Sequence, residues 1–168
     1  SATYTKTKEQ NKVERTFEPE DITEFTTRKR YIDIDLKDLG WTIEGAETDV
    51  WQEYPVEDMA GVVGQKGYAD YVLFGKDGLP LALIEAKRSS KDPNVGRKQA
   101  VLYADCLEKK FGRRPIMFTS NGFETYFWDD KTGPQRRVSG FFSKDDLQKL
   151  INRREERKKL DKIVINDK

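Results

Sequence analysis

Two apolar runs joined by a short polar turn constrain this chain more than any other feature. The first, Tyr68 to Phe74, reads YADYVLF, the turn is Gly75-Lys76-Asp77-Gly78, and the return, Leu79 to Lys87, reads LPLALIEAK. Apolar runs of that size predict buried strands, and Asp-Gly in a short connection predicts a hairpin over 68–74 and 80–87. Three charged residues interrupt or end these strands: Asp70, Glu85 and Lys87. They are the residues that need a physical explanation.

The flanking sequence supplies helices and further strands. Asp21 followed three residues later by Glu24 resembles a capping box, and Phe25, Ile32, Leu36 and Leu39 then recur at helical spacing until Gly40. Trp41 to Thr48 reads as strand or loop. Val50 to Val56 reads as a strand, with Pro55 marking an edge or an end. After a loop from Ser89 to Gly96, Ala100, Tyr103, Ala104, Leu107 and Phe111 lie on one face of a helix over 97–111 that Gly112 ends. Pro115 to Ser120 is a short apolar strand, and Asn121-Gly122 turns into a strand from Phe123 to Trp128. Arg136 to Phe142 adds an edge strand. Ser143 to Asp146 starts a helix that runs through Leu147, Leu150 and Ile151. This alternation predicts an α/β fold, a central mixed sheet with helices on both faces, and the antiparallel hairpin sets it apart from a doubly wound nucleotide binder. The expected organisation is an arm over 1–19, one domain over 20–151, and a charged helix over 152–168. At 168 residues one core is the default.

Composition narrows the chemistry. With 31 Lys and Arg against 30 Asp and Glu, no global field draws the chain to nucleic acid or a membrane, so anion binding must come from local clusters. There is no histidine, which removes Ser-His and Cys-His relays and histidine metal sites and leaves carboxylates, Lys and Tyr. A single cysteine, Cys106, excludes an internal disulfide and suits a reducing cytoplasm. No apolar run approaches the roughly 20 residues of a membrane span, and no signal peptide is evident. The chain starts at Ser1 without a Met and is expected to be a fragment.

Alternation on a strand puts Glu85 and Lys87 on one side and Ala86 on the other, with Asp70 across the hairpin. The two carboxylates can approach if the strands splay or offset. A hard cation such as Mg2+ between them would relieve their repulsion, and the Ala86 carbonyl is a natural further ligand. Lys87 would then hold a water or stabilise charge on phosphorus. The ordinary alternative is that these charges simply end buried strands. Gln99 and Tyr103, four apart, share a helix face and can contact a phosphate or hold the lysine, or else be a solvated glutamine and a core tyrosine.

Taken in order, Asp70, then Glu85-Ala86-Lys87, then Gln99 and Tyr103 resemble the PD-(D/E)xK nuclease superfamily. More narrowly, the chain resembles the N-terminal nuclease domain of the restriction (motor) subunit of type I restriction-modification enzymes. Thr23-Glu24-Phe25-Thr26-Thr27-Arg28, Ile32-Asp33, Leu39-Gly40-Trp41, Tyr68 to Leu73, Pro80 to Arg88, Gln99-Ala100 with Tyr103-Ala104, and Thr119-Ser120-Asn121-Gly122 to Trp128 follow that family's order. The resemblance covers roughly residues 20–150 and implies a restriction-endonuclease-like α/β/α fold. It implies Asp70 and Glu85 as metal-binding acids, Lys87 as the catalytic lysine, and Gln99 and Tyr103 as the helix motif that supports the site or touches DNA. Glu24 is similar to the acid that completes the metal site in related nucleases, with a helix cap as its alternative. Ala69 stands where the superfamily name has proline.

The implied activity is Mg2+-dependent hydrolysis of DNA phosphodiesters without sequence specificity of its own, with Mn2+ as a substitute. The implied partners are double-stranded DNA and the methylation and specificity subunits. ATP would act only through a translocase outside this chain, because Gly61 to Lys66 (GVVGQK) has neither the spacing nor the ending of a P-loop. The tail over 152–168 would be the linker helix toward that translocase. Lys87-Arg88 with Lys91, Arg97-Lys98, Lys109-Lys110 with Arg113-Arg114, and Arg136-Arg137 could line a groove for phosphates; Arg88, Arg97 and Lys98 flank the proposed site. Two other readings stand beside this one: a standalone repair-type nuclease, and a catalytically silent module that binds DNA or docks a partner subunit.

Overall fold

In the computed structural model, residues 27–59, 63–87, 96–121 and 124–166 are described. Their centre is one six-stranded sheet whose spatial order is the chain order: β1 (Val50–Glu57), β2 (Lys66–Phe74), β3 (Pro80–Ala86), β4 (Ile116–Ser120), β5 (Thr125–Trp128) and β6 (Arg136–Val138). All neighbouring strands are antiparallel except β3 and β4. Parallel pairing needs a crossover, and helix α2 (Arg97–Phe111) provides it. The hairpin closes as its residues require: the Asp77 carboxylate accepts the Leu79 N–H at 3.1 Å, and Gly78 takes a φ of +77°.

Strand alternation sorts the core into two layers. Tyr71, Leu73, Ile84 and Phe118 face Ile32 and Leu36 on one side, together with Leu147 and Ile151 of helix α3 (Lys144–Asn166). Val72, Leu83 and Met117 face the other side, under Ala100, Tyr103, Ala104 and Leu107 of α2. Each fully buried Leu, Ile or Phe contributes about 1.5–3 kcal/mol of apolar burial. Phe118 also meets Phe127, Phe141 and Phe142 edge-on, with ring centroids 5.4–5.7 Å apart. A mixed sheet with helices on both faces is therefore what the chain forms.

Some expectations shift at element ends. Within the described residues the first helix is π-helical over Thr27–Ile32, before α1 (Asp33–Asp38). Leu39 does not face the core as its spacing suggested: it caps α1 and is 36% exposed, because Gly40 at φ +95° turns the chain away there. Trp41 to Thr48 is loop rather than strand, and its Trp41 indole N–H donates to the Phe142 carbonyl at 2.9 Å. Pro55 lies within β1, at the sheet's edge, where its missing N–H costs no ladder bond. The last strand is shorter than Arg136 to Phe142 because Phe141 and Phe142 turn into the core. Ser143 accepts the Asp146 N–H at 3.2 Å and caps α3. The arm over 1–19, the capping box with Glu24, and the loop over 89–95 lie outside the described residues. Among the described residues no helix is long and apolar enough to cross a membrane.

Candidate functional site

The ladder between β2 and β3 pairs Leu73 with Ala82, Val72 with Leu83 and Tyr71 with Ile84, and stops. The next residues are Asp70 and Glu85, and there side chains replace the missing rungs. The Asp70 N–H donates to Glu85 Oε2 at 3.0 Å, and the Ala86 N–H donates to Asp70 Oδ2 at 2.8 Å. β3 meanwhile stays in the sheet through β4: Glu85 pairs with Thr119 and Ala86 with Ser120, and the Lys87 N–H donates to the Ser120 carbonyl at 2.7 Å. The strands splay, and the splay is what brings the two acids together. By alternation from Val72 and Leu83, Asp70, Glu85 and Lys87 share the face covered by α2.

Glu85 is 2% exposed, and its carboxyl is pushed up to about 8, first by burial and then by the Asp70 charge. The Asp70 N–H and the Lys87 ammonium pull the other way, while Glu53 adds to the rise. Glu53 escaped the sequence reading. It sits in β1 between the pairs Gln52–Tyr71 and Tyr54–Ala69, hence across from Asp70, in a left-handed backbone at φ +55°. A non-glycine residue held there costs on the order of 1–3 kcal/mol, and such strain collects near functional sites. The available signal was the polar pair Gln52-Glu53 breaking the alternation of an otherwise aromatic and apolar strand.

Lys87 is placed by the helix. Its Nζ donates to Gln99 Oε1 at 3.4 Å, and Gln99 Nε2 donates to the Tyr103 hydroxyl at 2.6 Å. Tyr103 is 2% exposed, and burial, followed by the Glu85 charge, raises its phenol above the ordinary range. Two glycines make room for this chain of contacts. A Cβ on Gly96 would run into Lys87 Cε and lie 3.1 Å from its Cδ. A Cβ on Gly67 would lie 2.9 Å from Tyr103 Cε1 and 2.8 Å from the Met59 sulfur. Neither was picked out from sequence, although a glycine inside a strand, as Gly67 is, signals close approach.

The remaining predicted positions are less concentrated. Arg97 donates to Gln135 Oε1 at 3.0 Å and stacks over Trp128, while Lys98 is exposed on the same turn. Glu24 and Arg88 lie outside the described residues. Several of the basic clusters are engaged within the protein. Arg113 pairs with Asp77, Arg114 with Asp105, Glu108 and Asp130, and Lys110 donates to the Tyr54 hydroxyl. A cleft of about 540 Å3 between β1 and α2, lined by Tyr54, Val56, Asp58, Cys106 and Lys110, contains none of the site side chains. Among the described residues no three acids, cysteines or histidines gather closely enough to hold a metal ion, so these residues offer a cation two carboxylates and carbonyl oxygen.

Comparison with known proteins places this arrangement. The family described as the N terminus of the type I restriction enzyme R protein matches residues 47–136, more than half of the chain and all of the core strands β1 to β5. The endonuclease subunit of the type I restriction enzyme EcoAI from Escherichia coli is 39% identical over 61 residues, 36% of this chain. The EcoKI endonuclease subunit from Escherichia coli strain K12 is 33% identical over 82 residues, 44% of this chain. The matched stretch is 7% of the length of each of these relatives. A fragment structure assigned to an HsdR subunit of a type I restriction enzyme from Vibrio vulnificus YJ016 superposes with a TM-score of 0.64 at 28% identity. That superposition covers 79% of this chain and 26% of the other. The chain therefore belongs to the family of type I restriction enzyme R protein N termini.

Proposed function

We propose that this chain is the Mg2+-dependent endonuclease domain of a type I restriction subunit, hydrolysing DNA phosphodiesters without sequence choice of its own. The observation that carries the reading is the exchange of carboxylates at the splay of β2 and β3, with Lys87 two residues beyond Glu85 on the same face. The residues suit a hard cation. Two carboxylates meet in a place dry enough to push Glu85 to about 8, and a divalent ion between them would offset both the burial and their repulsion. Asp70, Glu85 and the Ala86 carbonyl would hold it, with Glu24 completing the set as in related nucleases. A bound Mg2+ would polarise the phosphate and acidify water.

The chain's own groups do the rest. The Glu85 carboxylate is fixed by the Asp70 N–H and the Asp70 carboxylate by the Ala86 N–H, so neither need reorganise. The Lys87 ammonium, aimed by Gln99, donates to the attacking water or to the phosphate oxygen on which charge builds. Tyr103 holds Gln99, so the helix transmits its position to the lysine. Arg97 and Lys98, with Arg88, would meet backbone phosphates. DNA would be delivered by the translocase and by the methylation and specificity subunits, with ATP consumed only in the translocase and the tail over 152–168 leading toward it.

Asp70→Ala or Lys87→Ala, placed in the full-length subunit, should abolish cleavage while ATP turnover and folding persist. Cutting that survives either change would sink the assignment. Loss of nothing but DNA retention would favour a silent binding module.

A further inference from the structure

Among the described residues two buried side-chain polar atoms lack a hydrogen-bond partner, Thr119 Oγ1 and Arg154 Nε. The second belongs to a guanidinium whose other two nitrogens are paired. The first has no such excuse. Thr119 is 4% exposed, and its strand neighbour Ser120 has already spent its hydroxyl on Thr125 at 3.1 Å. A buried hydroxyl left orphaned is uncommon and asks for an unseen partner.

Its place in the sheet says what that partner is. Thr119 is in parallel register with Glu85, one strand spacing away, about 4.8 Å. Two residues before each lie Met117 and Leu83, both under α2, so Thr119 and Glu85 point to the same face. Thr119 thus stands next to Glu85 on the same face, on the side away from Asp70, since β2 and β4 flank β3. The two acids and the orphaned donor are independent observations that converge on one spot.

We propose that Thr119 is a positioning residue of the cation site. Its hydroxyl donates to a buried water that in turn donates to the Glu85 carboxylate, fixing that carboxylate for a divalent ion. A buried water needs two to four polar partners, and the hydroxyl and the carboxylate supply two. The inference rests on the cation reading above and is separable from it.

The test is calorimetric titration of Mn2+ into the 168-residue chain and three variants. Thr119→Val keeps the shape and removes the hydroxyl, and it should weaken Mn2+ binding about tenfold, the worth of one charge-assisted hydrogen bond. Thr119→Ser should restore binding to within about twofold of wild type, which a purely structural threonine would not require. In EDTA the valine variant should melt within a few degrees of wild type, so that a loss of Mn2+ affinity reports the site and not the fold. If valine is not accommodated, Thr119→Ala carries the same comparison. Equal Mn2+ affinity in wild type and Thr119→Val, with Asp70→Ala still abolishing binding, overturns the role of Thr119 and leaves the nuclease reading standing. No Mn2+ binding by wild type overturns both.

Discussion

Glu85 is held between two demands. Under the proposed reading it must be a carboxylate to meet a cation, yet burial and Asp70 push its pKa from an ordinary 4.5 to about 8. A carboxyl raised in the folded state binds its proton more tightly there than in the unfolded chain. Its contribution is thus fully present below about pH 4.5 and is lost as pH rises through about 8. In EDTA the protein should therefore lose stability across that window, on the order of a few kcal/mol. Glu85→Gln keeps an oxygen for the Asp70 N–H and removes the charge, so it should be the more stable protein at pH 8 to 9 and nearly equal at pH 5. Urea unfolding across the pH range reads this directly, and parallel curves for the two proteins would refute it. Added Mg2+ should return the wild type's lost stability at the alkaline end, because binding to the folded state alone stabilises it. Residue types at this spot were half legible in the sequence: an aspartate in an aromatic strand had no packing reason to be there, whereas a Glu-x-Lys ending is also how a buried strand meets solvent. Thr119 and Glu53 were not, since a lone threonine and one more glutamate in a charged chain look like any other.

Elements were legible to the extent that their periodicity was undisturbed. Strands β3 and β4 are covered on both faces, so they read as continuous apolar runs. Helix α2 shows its buried stripe at Ala100, Tyr103, Ala104 and Leu107, and it ends where Gly112 takes φ +80°. What periodicity cannot say is where a ladder stops, and the site exists because the β2–β3 ladder stops at Tyr71 and Ile84. The same holds for Gly96, which is nine positions from Lys87 in the chain but packed against its stem. That contact makes a prediction at the level of helix against strand. Gly96→Ala inserts a methyl where Lys87 now runs, so either the lysine or the first turn of α2 must move. A displacement near 1 Å of a catalytic group costs up to about a hundredfold. Cleavage by the full-length subunit should fall by roughly ten- to a hundredfold while Mn2+ affinity stays at the wild-type value, since neither carboxylate touches Gly96. A loss of ion binding in this variant would show that the glycine serves the acids instead of the lysine.

The molecule as a whole is tied together by a charge network at the start of β4 and the end of β5. Arg154 of α3 donates to Asp129 at 2.9 Å and to the Arg114 carbonyl at 2.8 Å, and both partners of that ion pair are at most 9% exposed. Arg114 in turn reaches Asp105 and Glu108 on α2 and Asp130 beyond β5, and these partners raise its pKa against the effect of burial. Two helices from opposite faces and the end of β5 thus share one set of charges, which fixes the course of α3 relative to the sheet that carries the site. The tail was legible as charged, and helical spacing puts Arg154, not Arg153, on the stripe of Leu147, Leu150 and Ile151, but the partners that let a charge be buried there were not legible. Removing one member of a buried pair strands the other, at about 3–5 kcal/mol. Asp129→Ala should cost that much, a fall in melting temperature of roughly 6–20 °C for a chain of this length. Arg153→Ala, at an exposed position, should change stability by no more than about 0.5 kcal/mol. Divalent-ion affinity should be unchanged in both, because the network and the carboxylate pair share no residue. Thermal melts and Mn2+ titrations on the two variants separate these outcomes, and a small effect at Asp129 would mean that α3 is held by Leu147 and Ile151 alone.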